Sequence, residues 1–442
     1  MEAVRVVLIS TYELGRQPFG LASPAAWLRG AGHEVTQVDL SRGALPGPAI
    51  EAADAIAFYL PMHTATRLFL RVIGRVREAN PRARLCAYGL YAPLNERLLR
   101  QAGIDTIIGG EFEQPLLDFV AGQAPREATV SLARQRFLPP DRSGLPALAS
   151  YARLAIESET RTAGYTEASR GCKHVCRHCP VVPVYRGHFR IVQPEVVLED
   201  IRRQVDAGAE HITFGDPDFF NGPGHAIRLI EALHCEWPRL TYDVTIKVEH
   251  LLKHRDLLPR LASTGCLFVT SAVESFDDAV LARLDKGHTR ADFLDALQLT
   301  RAAGLSLSPT FIPFTPWTTR ESYRDFLNTL VDLELIPQVA PIQLAIRLLI
   351  TEGSALLELP EIRSRIEPYD TRGLCYPWRS IDPSLDELCT SIQRTIQRGE
   401  RSRAGRALIF RNIWDQAECG SFPDVPLVDR ATIPYLTEPW YC

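Results

Sequence analysis

The densest chemistry in this chain lies in Arg170-Gly171-Cys172-Lys173-His174-Val175-Cys176-Arg177-His178-Cys179-Pro180. Cys172, Cys176 and Cys179 are spaced C-x3-C-x2-C, and no fourth cysteine is close in sequence. A structural zinc site uses four protein ligands, commonly from paired C-x2–4-C units. An electron-transfer [4Fe–4S] cluster likewise uses four thiolates. Three thiols on one short loop can hold a cubane cluster and leave one iron without a protein ligand, open for chemistry. His174 and His178 flank the thiols; a histidine there more often tunes or shields sulfur by hydrogen bonding than ligates.

Such a loop needs a rigid support, and the surrounding pattern supplies one. Residues 1–122 alternate strand-like stretches (4–10, 34–39, 55–60, 84–88, 106–108) with helix-like ones such as 23–31 and 66–78. That alternation predicts a doubly wound parallel sheet, with ligands at the strands' carboxyl ends, here 10–20, 61–66, 89–93 and 109–113. Residues 123–164, with Pro125, Pro139, Pro140, Gly144 and Pro146, read as a surface linker. Between 165 and 355 the alternation resumes, with strands expected at 165–169, 211–214, 242–246, 266–272, 306–311 and 343–349. Strand–helix units in this number predict a partial (β/α)6 TIM-like barrel, whose active site is built from loops at the strand carboxyl ends. The thiol loop follows the first of these strands and so falls on the catalytic face. Residues 356–442 form an irregular C-terminal extension: 385–397 is helical, 408–415 helix or strand. The aromatic tail 434–442 is expected to pack against the barrel.

Composition narrows the class. With 442 residues, 46% hydrophobic, 23% charged and a formal net charge of -4, the chain is of globular type. Its Lys and Arg residues are dispersed, which gives no basic stripe for nucleic acid. No apolar run reaches the roughly 18 residues of a membrane span, and no membrane partner is expected. The first ten residues read as a buried strand rather than a signal peptide, so a cytoplasmic location with reduced thiols is expected.

The C-x3-C-x2-C triad on a first barrel loop resembles the signature of the radical S-adenosylmethionine (SAM) superfamily. The resemblance implies that Cys172, Cys176 and Cys179 bind three irons of a [4Fe–4S] cluster. SAM would chelate the fourth iron and be cleaved reductively to a 5′-deoxyadenosyl radical. Asp216 and Asp218, in Phe214-Gly215-Asp216-Pro217-Asp218-Phe219, stand where the family contacts the methionine amino group. Glu274, in Ala272-Val273-Glu274-Ser275, would meet the ribose or amino group, and Arg347 on the sixth strand would pair with the methionine carboxylate. Pro18-Phe19-Gly20-Leu21-Ala22, Ala31-Gly32-His33-Glu34-Val35 and Gly110-Glu111-Phe112-Glu113 resemble the cobalamin-binding-like domain that precedes the barrel in one branch. The chain lacks that branch's D-x-H-x-x-G loop, and Tyr88-Gly89-Leu90-Tyr91-Ala92 departs from its paired glycines. His63 sits where a cobalamin lower face would be, though a loop histidine is more often solvated, and Glu111 and Glu113 suit a helix N-terminus.

The implied activity is reductive SAM cleavage by a cobalamin-dependent methyltransferase acting on an unactivated centre of a small molecule or peptide. The implied partner is a low-potential electron donor such as flavodoxin or ferredoxin. Two alternatives stay open: a radical enzyme whose N-terminal domain holds no cobalamin, and a non-catalytic iron–sulfur or zinc protein. Cys86, Cys235, Cys266 and Cys389 read as small buried hydrophobes. Cys375, Cys419 and Cys442 match no metal spacing and carry no assigned role.

Overall fold

The computed structural model describes residues 3–125, 127–156, 159–424 and 434–437. The first sheet contains β1 (Arg5–Ser10), β2 (Glu34–Asp39), β3 (Ala55–Tyr59), β4 (Arg84–Tyr88), β5 (Thr106–Gly110) and β6 (Thr129–Ser131). All neighbours are parallel, in the order β2-β1-β3-β4-β5-β6. Parallel strands need crossover helices, and these bury both faces of the sheet. On one face Leu8, Ala57, Tyr59, Tyr88 and Phe112 pack with Leu21 and Leu28 of the helix Phe19–Gly30. On the other, Ile9, Phe58 and Ala87 pack with Phe69 and Ile73 of the helix His63–Ala79.

The second sheet begins inside the stretch read as a linker, with β7 (Arg153–Ile156) and β8 (Glu159–Thr166). After β8 the chain forms a short antiparallel pair, β9 (Ser169–Gly171) with β10 (Phe189–Ile191), which pins both ends of the thiol loop. It then continues through β11 (His211–Phe214), β12 (Thr241–Thr245), β13 (Cys266–Glu274) and β14 (Ser306–Phe311). The order is β14-β13-β12-β11-β8-β7-β15, where β15 is Tyr435–Leu436. Strands β8 and β11 to β14 are mutually parallel, with helices between them, and make the curled half-barrel. Strand β7 pairs antiparallel with β8, and β15 antiparallel with β7, so the C-terminal segment covers that sheet edge.

The sixth strand expected at 343–349 does not form. Pro341–Leu344 is a 3-10 turn, and the sixth position is reduced to a single parallel bridge between Phe314 and Arg347. Pro341 and the buried Gln343, whose Oε1 accepts from Phe311 N at 2.9 Å, tie that segment to β14 through a side chain instead of a ladder. The 408–415 stretch is part of the helix Arg406–Gln416.

The two sheets are locked together by side chains. Phe19 and Tyr165 meet edge to face at 6.1 Å. Arg142 reaches Gln17 at 2.9 Å and Asp200 at 2.8 Å. Val184 and Tyr185, just beyond the thiol loop, belong to the core of the first sheet.

Candidate active site at the barrel mouth

Gly171 sets the direction of the thiol loop. Its φ is +76°, and a Cβ there would lie 2.3 Å from the Tyr185 ring and 2.6 Å from His188 O. Only glycine tolerates both the left-handed backbone and the close approach. Asn221 then clamps the loop's first turn: its Oδ1 accepts from Lys173 N at 3.2 Å and its Nδ2 donates to Gly171 O at 3.3 Å. Farther along, Arg177 N donates to Leu284 O at 2.9 Å and Arg177 O accepts from Ser354 Oγ at 2.9 Å. Residues after β11, after β13 and just before the C-terminal extension thus hold the turn.

Cys172 and Cys176 are buried and Cys179 half-buried. Burial raises the Cys172 thiol and pushes Cys179 up to about 12, and each thiolate would also be raised by its neighbours. Buried, mutually repelling thiols are costly to ionise unless a cation holds them. Two buried lysines face them. Lys247 Nζ lies 3.7 Å from Cys176 Sγ, while Lys286 is kept charged, against burial, by Glu274 and the Cys176 and Cys179 sulfurs. Three convergent sulfurs with lysine counter-charges are a donor set that fits an iron–sulfur cluster.

The predicted carboxylates separate by role. Asp216 turns inward: it accepts from Ala168 N at 2.9 Å and Ser169 Oγ at 2.5 Å, bracing the β8–β9 turn. Burial pushes its carboxyl up to about 7 despite those bonds. Asp218 caps the turn Phe219–Asn221 through Phe220 N, and its Oδ2 faces His250 Nδ1 at 2.6 Å and His174 Nε2 at 3.4 Å. Burial raises its carboxyl, but the two imidazoles outweigh that and hold it below its usual value. Glu274 ends β13 at a bulge, with φ +69°, a strained conformation for a residue with a Cβ. Its Oε1 lies 3.1 Å from Lys286 Nζ and 3.2 Å from His178 Nε2, and these outweigh burial to lower its carboxyl to about 2.

Arg347 is engaged by the C-terminal extension. Its guanidinium pairs with Asp386 at 2.5 Å, donates to Trp378 O and lies 3.6 Å over the Trp378 ring, so the extension has taken up its charge. His63 is buried, not solvated, and its Nε2 lies 2.6 Å from Gly373 O. Glu111 and Glu113 do more than cap a helix. Arg170, two residues before Cys172, lies 3.3 Å from Glu111, 2.7 Å from Glu113 and 2.7 Å from Glu167. Cys235 is exposed, unlike the buried Cys86, Cys266 and Cys389; Cys375 and Cys419 are half-buried, and Cys442 lies outside the described residues.

Sequence reasoning passed over Lys247, Glu249 and His250. The signal was available: Ile246-Lys247-Val248-Glu249-His250 follows a barrel strand directly, and titratable groups there face the mouth. A cavity of about 240 Å³ opens beside Glu274, lined also by Asp277, Arg290, Pro313, Thr318 and Asp325. It adjoins the 313–319 loop.

Comparison with known proteins agrees with this geometry. Residues 166–330 match the model of the Radical SAM superfamily. Residues 166–330 form a radical SAM domain, and the fold of the whole is shared with two solved radical SAM enzymes. The structure of the cobalamin-dependent SAM radical enzyme OxsB, with aqua-cobalamin and SAM bound, superposes with a TM-score of 0.70 at 17% identity over 90% of this chain and 67% of OxsB. The radical SAM methyltransferase TsrM from Kitasatospora setae superposes at 0.57 with 15% identity over 75% of this chain and 70% of its own. A tRNA-2-methylthio-N(6)-dimethylallyladenosine synthase of Desulfosudis oleivorans is 31% identical over 40% of this chain and 38% of its own length. Hopanoid C-3 methylase of Methylococcus capsulatus is 25% identical over 34% and 29%. The chain therefore spans well under half the length of these curated relatives. No helix among the described residues is long and apolar enough to cross a membrane.

Proposed function

We propose that this radical SAM enzyme cleaves SAM reductively and methylates an unactivated centre of a small molecule or peptide. The observation that carries the reading is the set of three thiols on one glycine-led loop at the barrel mouth, faced by Lys247 and Lys286. Cys172, Cys176 and Cys179 would hold the [4Fe–4S] cluster. When bound, that cluster and SAM supply a 5′-deoxyadenosyl radical. The chain's own residues bind and orient. Asp218 and Glu274, both held ionised, are acceptors suited to an ammonium or hydroxyl group of the cofactor. Lys247 and Lys286 offset the negative charge of the thiolates. Asp216 acts by bracing the turn; Arg347 would have to leave Asp386 to reach a methionine carboxylate. Electrons would come from a flavodoxin or ferredoxin.

Cobalamin would serve as methyl carrier at the carboxyl ends of the first sheet. In support, the likeness to OxsB extends over 90% of the chain, and Ser10 Oγ and Glu13 Oε2 are buried without a hydrogen bond where β1 ends. A second reading, in which that domain holds no cobalamin, is favoured by a specific observation. The rings of Tyr59, Tyr88 and Phe112 pack within 5.2 to 5.9 Å of one another between the sheet and its helices, and Tyr88 Oη donates to Gly20 O at 2.7 Å. His63 Nε2 is held by Gly373 O, and its Nδ1 is buried without a hydrogen bond.

Anaerobic reconstitution with iron and sulfide, followed by assay of 5′-deoxyadenosine and S-adenosylhomocysteine, tests the reading. Wild type is expected to gain cluster absorbance and form both products, and the triple variant Cys172→Ala, Cys176→Ala, Cys179→Ala neither. A triple variant that keeps the absorbance, or a wild type that takes up one zinc and no iron, overturns it. Hydroxocobalamin titration, read in the visible spectrum, separates the two readings of the N-terminal domain. Small-molecule, peptide and tRNA pools tested as methyl acceptors decide the substrate class. The dispersed basic residues support the first two.

A further inference from the structure

Beside the thiol loop, three side chains from three segments converge without satisfying one another. Asp218 follows β11, His250 lies in the helix Val248–Lys253 after β12, and His174 is in the loop itself. Asp218 Oδ2 is 2.6 Å from His250 Nδ1 and 3.4 Å from His174 Nε2, and the imidazole centroids are 4.7 Å apart. The Asp218 and His250 side chains are 0% and 1% exposed and that of His174 12%. Yet Asp218 Oδ2, His174 Nε2 and both ring nitrogens of His250 lack an aligned hydrogen bond. Each such atom costs about 1–3 kcal/mol when buried unpaired, and a single bound ion would serve three of them: Asp218 Oδ2, His174 Nε2 and His250 Nδ1. Two further features specify it. One ligand atom each from Cys172, His174 and Asp218 lies within 4.8 Å of the others. The far nitrogen of His174, Nδ1, faces the Glu249 carboxylate at 3.5 Å, the arrangement that orients a metal-bound histidine.

We propose that His174, Asp218 and His250 form a mononuclear site for Zn2+ or Fe2+, adjoining the cluster at Cys172. The proposal goes beyond the function given above and rests on it in counting Cys172 as a cluster ligand. Two imidazoles and one carboxylate suit these ions, whereas Mg2+ and Ca2+ favour oxygen donors throughout. The ion gives the facing nitrogens and the Asp218 oxygen a common partner. Three protein donors leave positions for water or for a substrate hydroxyl, carboxylate or amine, so the substrate class it selects is one with such a donor. Where the ion is bound, Asp218 serves it in place of the cofactor role given above, and Glu274 is left as the acceptor for the SAM ammonium group.

The test uses the full chain carrying its cluster. It is titrated anaerobically with Co2+, as a spectroscopic probe, or with Zn2+, then desalted and its metals counted. One Co2+ or Zn2+ per chain beyond the cluster irons is expected, with visible Co2+ bands. His250→Ala and Asp218→Asn should each weaken binding at least about tenfold, and Glu249→Gln about tenfold, with the cluster absorbance retained. No ion beyond the cluster irons overturns the proposal. So does an ion whose affinity all three variants leave unchanged, which is an adventitious ion only. The triple cysteine variant separates this from the fate of the cluster: the three donors should still take Co2+ there. Loss of the cluster with Co2+ retained leaves the mononuclear site standing, and loss of Co2+ there overturns it.

Discussion

At the carboxyl ends of the first sheet, Tyr59, Tyr88 and Phe112 pack ring on ring, and Arg170 is shared by Glu111, Glu113 and Glu167. Glu113 also takes bonds from Ser23 at 2.6 Å and Gln135 at 2.7 Å, and Glu111 one from Tyr185 at 3.1 Å. At the carboxyl ends of the barrel strands the groups are as deeply buried but differently served: thiols raised by burial, and imidazoles and a carboxylate with unbonded atoms. Both edges obey the rule that parallel sheets keep their polar loops at the strands' carboxyl ends. One edge meets most of its polar demand with side chains drawn from both sheets, with Ser10 and Glu13 as exceptions; the other leaves much of its demand for something bound. Unmet demand is where chemistry is to be sought.

That contrast makes substitutions at the two edges fail differently. The largest effect is expected from Arg170→Ala, which strands buried carboxylates and should cost about 3–5 kcal/mol in denaturant unfolding. If the loss is below about 1 kcal/mol, within the range of an exposed pair, the first edge is not the closed network described. Next is Glu274→Gln at the barrel mouth. A carboxyl lowered to about 2 from an unfolded value of about 4.3 stabilises the fold by roughly 3 kcal/mol where it is ionised. Because the folded value is the lower one, this contribution is complete above about pH 5 and fades as pH falls toward 2. The wild-type and variant stabilities should therefore run parallel from pH 5 to 8 and converge on acidification; a gap that widens in acid would contradict the assignment.

Gly171→Ala comes third. Strain at positive φ and the contact with Tyr185 should cost about 1–3 kcal/mol, but its sharper readout is lower iron content after reconstitution. Normal iron loading in this variant would mean that the glycine does not aim the loop. The smallest effect is expected for Tyr88→Phe, which removes the bond to Gly20 O and should cost about 1 kcal/mol. Hydroxocobalamin titration of the same variant shows whether the packed rings at the first edge bear on cobalamin binding.

The thiol triad, the strand–helix alternation and the strand-end placement of Asp218 and Glu274 were legible in the chain, because spacing and periodicity are local properties. The sixth strand was misread because an apolar run at 343–349 looks the same whether it pairs or only touches β14 at one bridge. The contacts of Arg347 were not legible for a related reason: its partners, Asp386 and Trp378, are far along the sequence. The stretch 123–164 read as linker because β6 and β7 are short, yet β6 closes one edge of the first sheet and β7 joins β8 to β15 in the second.

Sequence by itself determined the donor atoms near the catalytic face: three thiols at C-x3-C-x2-C after a strand, behind an obligatory glycine. Tertiary structure decided which charges remain free to act. Arg170, Asp216 and Arg347 are consumed by partners brought from other segments, while Asp218, His174 and His250 meet without satisfying one another. The physical reason is that a side chain's availability depends on burial and on every neighbour within hydrogen-bonding reach, and those neighbours are assembled only when distant strands are brought side by side.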